Sequence, residues 1–345
     1  MAEARDVTTT TDKSDDEFAK FDFSVSEIPC LHYQSVEAER LISCEKPVVL
    51  RDSRVISTAM KWSLDYLEAN MGDSKCNVYS SQTGRFKYFD DKKAQTFPGF
   101  ECPMQLNEMT FDEFVRKVRE WKAGDRALYL QQALNDTVKP SIVRDFIGFD
   151  WDWLNFHQAK QKWGPLTSNL VLIAMGGNIT PAHYDEQHNF FCQVEGRKRC
   201  ILFHPDQFEC LYPHPVSHPC DRQSQVDFDR PDFSRFPKFK HVKGWETIVH
   251  PGEILYIPMY WWHYIESAKS DTTTTSITFW YRSGPTPQEI TWPLSVEQKI
   301  AVTRNIEKML HDALKNTEEV RELLHMIVDG RYPCERWDHE RPFTQ

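Results

Sequence analysis

Apolar positions along the chain recur with two periods. Phe111, Phe114, Val115, Val118 and Trp121 repeat at three- and four-residue steps, which predicts an amphipathic helix over 111–122. The same period returns at Val296, Ile300, Val302, Ile306, Met309, Leu310 and Leu314. A second helix follows over 318–328, and Lys315-Asn316 breaks the two into a hairpin. From Ala127 the texture is different. ALYLQQ, SNLVLIAM, HNFFCQV, KRCILF, ETIVH, EILYIP, HYIES and SITFWYR are short β-rich runs separated by Pro, Gly and Asn. Runs of this kind, with no long helix between them, predict an antiparallel sandwich or barrel rather than a parallel α/β sheet. Upstream, KPVVLRD reads as a strand and 62–70 as a short helix, while CNVYS and RFKYFD read as strands about a turn at Thr83-Gly84. The expected organisation is a tail (1–20), a mixed α/β part (21–126), a β core (127–290) with a Pro-rich insertion (204–240), a helical hairpin (291–332) and a second tail (333–345). The fold class is therefore mainly β with flanking helices.

Composition narrows the function. Asp and Glu total 51 against 41 Lys and Arg, a formal net charge of −10, and the densest basic cluster is only Arg197-Lys198-Arg199. That balance opposes a nucleic-acid backbone as partner. The longest strictly apolar run, 170–175, falls far short of the roughly 20 residues that span a bilayer, so no membrane partner is expected. Nine scattered cysteines without a C-x-x-C pair suggest reduced thiols. The expected compartment is the cytoplasm, with nuclear access left open by the absence of a basic import signal.

The sharpest chemistry lies in GGNITPAHYDEQHNFF. On an extended strand, positions i and i+2 share a face, so His183 and Asp185 present an imidazole and a carboxylate together. His263, 78 residues further on in an aromatic strand, is placed to supply a second imidazole. Two histidines and a carboxylate form the facial triad of non-haem Fe(II) oxygenases, which leaves positions for co-substrate and O₂. In KRCILF, Lys198, Cys200 and Leu202 share one face, and Ile201 and Phe203 make the other face apolar too. A strand buried on both sides would hold an ammonium that needs an anion, such as a bound dicarboxylate. Spacing alone equally allows Lys198 to snorkel beside the turn at Gly196.

Longer stretches carry a resemblance. ALYLQQALNDTV, TPAHYDEQHNFF, GRKRCILFHPDQFECLYPHPV, HPCDRQSQVDFD, LYIPMYWWHYIES and RNIEKML together resemble the asparaginyl hydroxylases of the factor-inhibiting-HIF type among the JmjC-type 2-oxoglutarate oxygenases, in order from about Glu45 to Tyr332. The resemblance implies a double-stranded β-helix (jelly-roll, cupin-like JmjC) core, with His183, Asp185 and His263 on Fe(II). It also implies that Lys198, Tyr129 and Thr180 bind the distal carboxylate of 2-oxoglutarate and Asn189 the carboxylate nearer the metal. Tyr88, Asp90, Gln187, Arg222, Gln223 and Trp280 would line the site for the target asparagine. The implied substrates are the C-terminal transactivation segment of hypoxia-inducible factor α and ankyrin-repeat proteins. The hairpin would form a homodimer with Leu324 near its centre, whereas its pattern alone fits self-packing as well. Two positions depart from the family pattern: Thr278 stands where it has Asn, and His188, where it has Gln, should face away from the metal. The alternatives are a JmjC oxygenase acting on another side chain, such as a histone lysine demethylase, a catalytically silent jelly-roll binding module, and a zinc- or manganese-bound cupin.

Overall fold

The computed structural model describes residues 17–135, 138–285 and 292–329. The expectations for 1–16 and 330–345 lie outside them. The first half runs β1 (Ser24–Glu27), β2 (Cys30–His32), α1 (Val36–Ser43), β3 (Val48–Arg51), α2 (Leu64–Met71), β4 (Lys75–Ser81), α3 (Asp91–Thr96), β5 (Gln105–Thr110), α4 (Phe111–Glu120), β6 (Ala127–Ala133), α5 (Pro140–Ile147) and α6 (Trp151–Lys160). The second half adds β7 (Leu166–Met175), β8 (Ile179–Tyr184), β9 (Gln187–Glu195), β10 (Lys198–Phe203), β11 (Lys243–Val249), β12 (Ile254–Ile257), β13 (Trp262–Ser267), β14 (Thr273–Arg282), α7 (Val296–Leu314) and α8 (Thr317–Val328).

Two sheets face each other as a jelly roll. One has the order β1-β11-β10-β13-β8 and the other β2-β3-β12-β9-β14-β7-β6-β4-β5. Strand pairing is antiparallel except for β1 with β11 and β2 with β3. These two parallel pairs, both made by N-terminal strands laid on sheet edges, qualify the purely antiparallel expectation. Alternation along each strand sorts the apolar side chains into layers. Cys200 and Leu202 meet Val49, Phe191 and Leu255 between the sheets. The outer face of the large sheet is covered by α1, α2, α4, α5 and α6 through residues such as Leu41, Leu67, Phe114, Ile142 and Leu154. The outer face of the small sheet, including Ile201 and Phe203, is covered by Phe228, Phe236 and Phe239 of the insertion and by Ile300 of α7.

Local chemistry explains the boundaries. Ser35, Ser63 and Thr110 accept backbone N–H groups at the starts of α1, α2 and α4, and Ser295 with Gln298 closes a capping box on α7. Lys315 takes φ 57° and Asn316 caps α8, so the expected break falls where the sequence placed it.

Three expectations are corrected. RFKYFD is not a strand. Arg85 makes a single bridge to Ile179, the Phe86 N–H donates to the Ile179 carbonyl, and the Asp90 N–H donates to that of Pro219, so the segment is held by two different neighbours. Residues 17–20 of the expected tail are docked. Glu17 pairs with Arg197, and the Ala19 N–H donates to the Glu266 carboxylate. Finally, α5 and α6 stand between β6 and β7, where no helix was expected.

Candidate metal centre and its cavity

The centre is built on the register of β8 and β13. His183 and His263 are direct cross-strand partners, with ring centroids 4.1 Å apart, and β13 has a register irregularity immediately beyond His263. β8 is the edge of its sheet, where Pro181 is tolerated because no partner needs its missing N–H. Asp185 lies one residue past the end of β8 rather than within it. Its carbonyl accepts the Tyr260 N–H at 2.8 Å, and this bond turns its carboxylate back toward the imidazoles. Asp185 Oδ2 is 3.7 Å from His263 Nε2, and ligand atoms from His183, Asp185 and His263 all lie within 4.8 Å of one another. Among the described residues no other group of three such side chains is so placed.

Each imidazole has its tautomer set by a carbonyl. His183 Nδ1 meets the Pro181 carbonyl at 2.9 Å and His263 Nδ1 meets that of Trp261 at 3.0 Å. A carbonyl can only accept, so both Nδ1 atoms carry the proton and both Nε2 lone pairs are free for a metal. Burial, reinforced by His263, pushes His183 down to about 4, which keeps it neutral. Burial opposes ionisation of Asp185, but His183, His263, Arg222 and a hydrogen bond from Trp280 outweigh it and hold the carboxyl below its usual range. Two imidazoles with Nε2 turned to the centre and one carboxylate are the donor set that a divalent first-row cation with open positions takes.

The triad opens into a cavity of about 260 Å³ between the sheets. Tyr88, Tyr129, Thr180, Asn189, Arg222, Thr278 and Trp280, all expected at the site, line it together with the triad. Asn189 Oδ1 and Thr278 Oγ1 are buried without a hydrogen-bond partner. Lys198 sits beneath the lining. Its Nζ is 5.3 Å from the Phe191 ring centroid and 5.6 Å from that of Tyr129, whose phenol is hydrogen-bonded to Thr180. The lysine is 2% exposed, and burial pushes it down to about 8. The snorkelling alternative is therefore excluded. An ammonium among aromatic rings, with the unpartnered Thr278 hydroxyl able to donate, fits a small anion beside a metal.

Three further expected residues are not among those that line the cavity. Asp90 Oδ1 accepts the N–H groups of Lys92 and Lys93 as the N-cap of α3, which engages its carboxylate. Gln187 opens β9 opposite Arg282, and Gln223, bridged to His183 through the backbone, carries a buried unpartnered Oε1. His188 faces away as expected, stacked 4.5 Å from Trp163, and its Nδ1 accepts the Met259 N–H and meets the Tyr256 hydroxyl. Sequence reasoning missed Tyr79, Phe86, Met104, Gln131, Leu172, Phe191 and Ile265 in the wall. Period-2 alternation was the usable signal, because Gln131, Phe191 and Ile265 lie two residues after Tyr129, Asn189 and His263.

Comparison with known proteins agrees with this geometry. Residues 34–287 match the cupin-like domain family. Lysine-specific demethylase 8 of Danio rerio is 30% identical over 74% of this chain and 58% of its own length. HSPB1-associated protein 1 of Bos taurus is 26% identical over 82% and 55%. tRNA wybutosine-synthesizing protein 5 of Gallus gallus is 25% identical over 80% and 83%. The chain spans just over half the length of the demethylases with which it shares 30% identity. With its jelly roll, its His-Asp-His centre and this match, the chain belongs to the cupin-like JmjC family, whose members use Fe(II) and 2-oxoglutarate.

Proposed function

We propose that the chain is an Fe(II)- and 2-oxoglutarate-dependent dioxygenase that hydroxylates the β-carbon of an asparagine in an extended protein segment. His183, Asp185 and His263 would hold the iron. When bound, it supplies oxidation of the C–H bond by O₂, with 2-oxoglutarate leaving as succinate and CO₂. Lys198, with Tyr129 and Thr180 above it, neutralises one carboxylate of the co-substrate. Asn189 and Thr278 offer polar atoms to its other end. Phe191 and Leu172 keep the cavity dry.

The observation that carries the choice of amide is Arg222. Its guanidinium lines the cavity 3.5 Å from Asp185 Oδ1, so the side chain to be oxidised enters beside a cation. A methylammonium would meet repulsion there, and an amide oxygen would meet a donor. The names of the demethylase relatives favour a second reading, oxidation of a methylated lysine. The two are separated by supplying Fe(II), 2-oxoglutarate and peptides. Asparagine peptides from hypoxia-inducible factor α or ankyrin repeats should gain one oxygen atom in the mass spectrum. Loss of a methylene from methyl-lysine peptides would establish the second reading, and no succinate with any peptide would leave a silent binding module. Ankyrin substrates would have to unfold locally to reach a cavity between two sheets.

We also propose the homodimer, supported by the outer face of the α7–α8 hairpin. Val302, Ile306, Met309, Leu324, Met326, Ile327 and Val328 are exposed on these two helices, and exposed apolar side chains gathered on one element mark an interaction surface. Leu324→Arg should convert a dimer to a monomer by analytical ultracentrifugation while the circular dichroism of the jelly roll is retained. An unchanged mass would remove the interface. No helix among the described residues is long and apolar enough to cross a membrane. Arg197 and Arg199, the core of the basic cluster, are engaged by Glu17, Asp271 and Glu246. We place the protein in the cytoplasm, with nuclear entry open.

A further inference from the structure

Arg304 lies on α7, outside the cavity, with its side chain only 5% exposed. Nη1 and Nη2 reach the two carboxylate oxygens of Asp221 at 2.7 and 2.9 Å. Nε donates to Glu186 at 3.0 Å, and Nη1 also donates to the Tyr184 hydroxyl at 2.9 Å. Tyr184 and Glu186 flank Asp185, and Asp221 precedes Arg222. One side chain therefore holds both stretches that carry the Asp185–Arg222 pair. The same stretches are joined by the Tyr184 N–H donating to the Arg222 carbonyl at 3.2 Å. Arg222 itself is kept at φ 67°, a left-handed conformation that costs a non-glycine residue about 1 kcal/mol and persists only where surrounding structure imposes it.

A buried ion pair is a poor device for stability, since packed apolar groups often serve as well. A guanidinium fork does fix direction, which a methionine of similar size would not. We propose that Arg304 is a positioning residue of the metal centre, setting the angle at which Arg222 meets Asp185 and the incoming side chain. The activity readouts of this proposal rest on the hydroxylase reading.

The test is Arg304→Met, alone and with Arg222→Ala, in the full chain. Arg304→Met should raise the peptide KM about tenfold and the ratio of succinate to oxidised peptide. It should leave the 2-oxoglutarate KM within about twofold, because Lys198 is untouched. Arg304→Lys, which keeps charge but not the fork, should recover only part of the loss. In the Arg222→Ala background the Arg304→Met effect should fall below about twofold, the non-additivity expected of residues acting through one another. Additive effects, or an equal rise in both KM values, would overturn the proposal. Should Arg304→Met fail to fold, Asp221→Asn reads the same coupling. Should the wild-type chain form no succinate, the hydroxylase reading falls and the visible absorption of bound Co(II) becomes the readout. Arg304→Met then shifts the bands of the wild type but not those of Arg222→Ala, and identical spectra throughout refute the positioning role.

Discussion

His263→Ala should abolish metal binding and succinate formation while the protein remains folded. The imidazole is 3% exposed, and its Nδ1 proton is committed to the Trp261 carbonyl, so Nε2 has no work except toward Asp185 and a cation. Removing it leaves two ligand groups where an open facial site needs three. Changes to residues that merely orient a ligand already cost about 10–100-fold in affinity, so loss of a ligand should cost at least about a hundredfold. Titration with Fe(II) under argon, or with Co(II) in air, measures this directly. His188→Gln is the contrasting control. That imidazole is as deeply buried and lies five residues from His183, but it belongs to the other sheet and bonds there to Tyr256 and the Met259 N–H. His188→Gln should leave metal affinity unchanged and cost about 1–3 kcal/mol of stability through buried groups left unpaired. Undiminished metal binding by His263→Ala would remove the triad, and with it the oxygenase assignment.

The contrast between these histidines shows what was legible. Alternation set His188 facing away from His183 and Asp185; the structure keeps that outcome by a different route, with His183 on β8 of one sheet and His188 on β9 of the other. The same rule put Lys198 with Cys200 and Leu202, and the structure places all three inside. It fails where no regular element carries the residue. RFKYFD was expected as a strand and the resemblance put Tyr88 and Asp90 of that run at the site, yet the segment is irregular and the Asp90 carboxylate caps α3. The missed helix α6 has a different cause. In WDWLNFHQAK aromatic residues occur all round the helix, with Leu154 buried and Phe156 exposed, so no 3.6-residue stripe forms to be read. Arg304 was invisible for a third reason. Its partners lie 83 and 118 residues away and meet it only after the insertion folds over β8. Such pairings are set by topology and have no local signature.

Lys198→Met should weaken the protein's hold on 2-oxoglutarate and, at the same time, stabilise it without the co-substrate. Among the described residues no carboxylate balances this ammonium, and burial, opposed only by Cys200, brings it from 10.5 down to about 8. That displacement corresponds to a penalty of about 3 kcal/mol for keeping the charge at neutral pH. Methionine fills nearly the same volume without the penalty, so the melting temperature of the ligand-free protein should rise by about 3 °C in calorimetry. The opposite sign is expected for binding. A carboxylate drawn between Tyr129 and Phe191 would lose its one full counter-charge, and the 2-oxoglutarate KM should rise about a hundredfold while kcat at saturation changes little. The pH dependence follows from the same group. Below about pH 8 Lys198 is already protonated and binds the anion without proton uptake. Above it, binding must first protonate the amine, so wild-type affinity should fall by about tenfold per pH unit. The Lys198→Met variant should show no such fall. A lower melting temperature, or an unchanged KM with the same pH profile as wild type, would show that the ammonium is held for the fold and not for an anion.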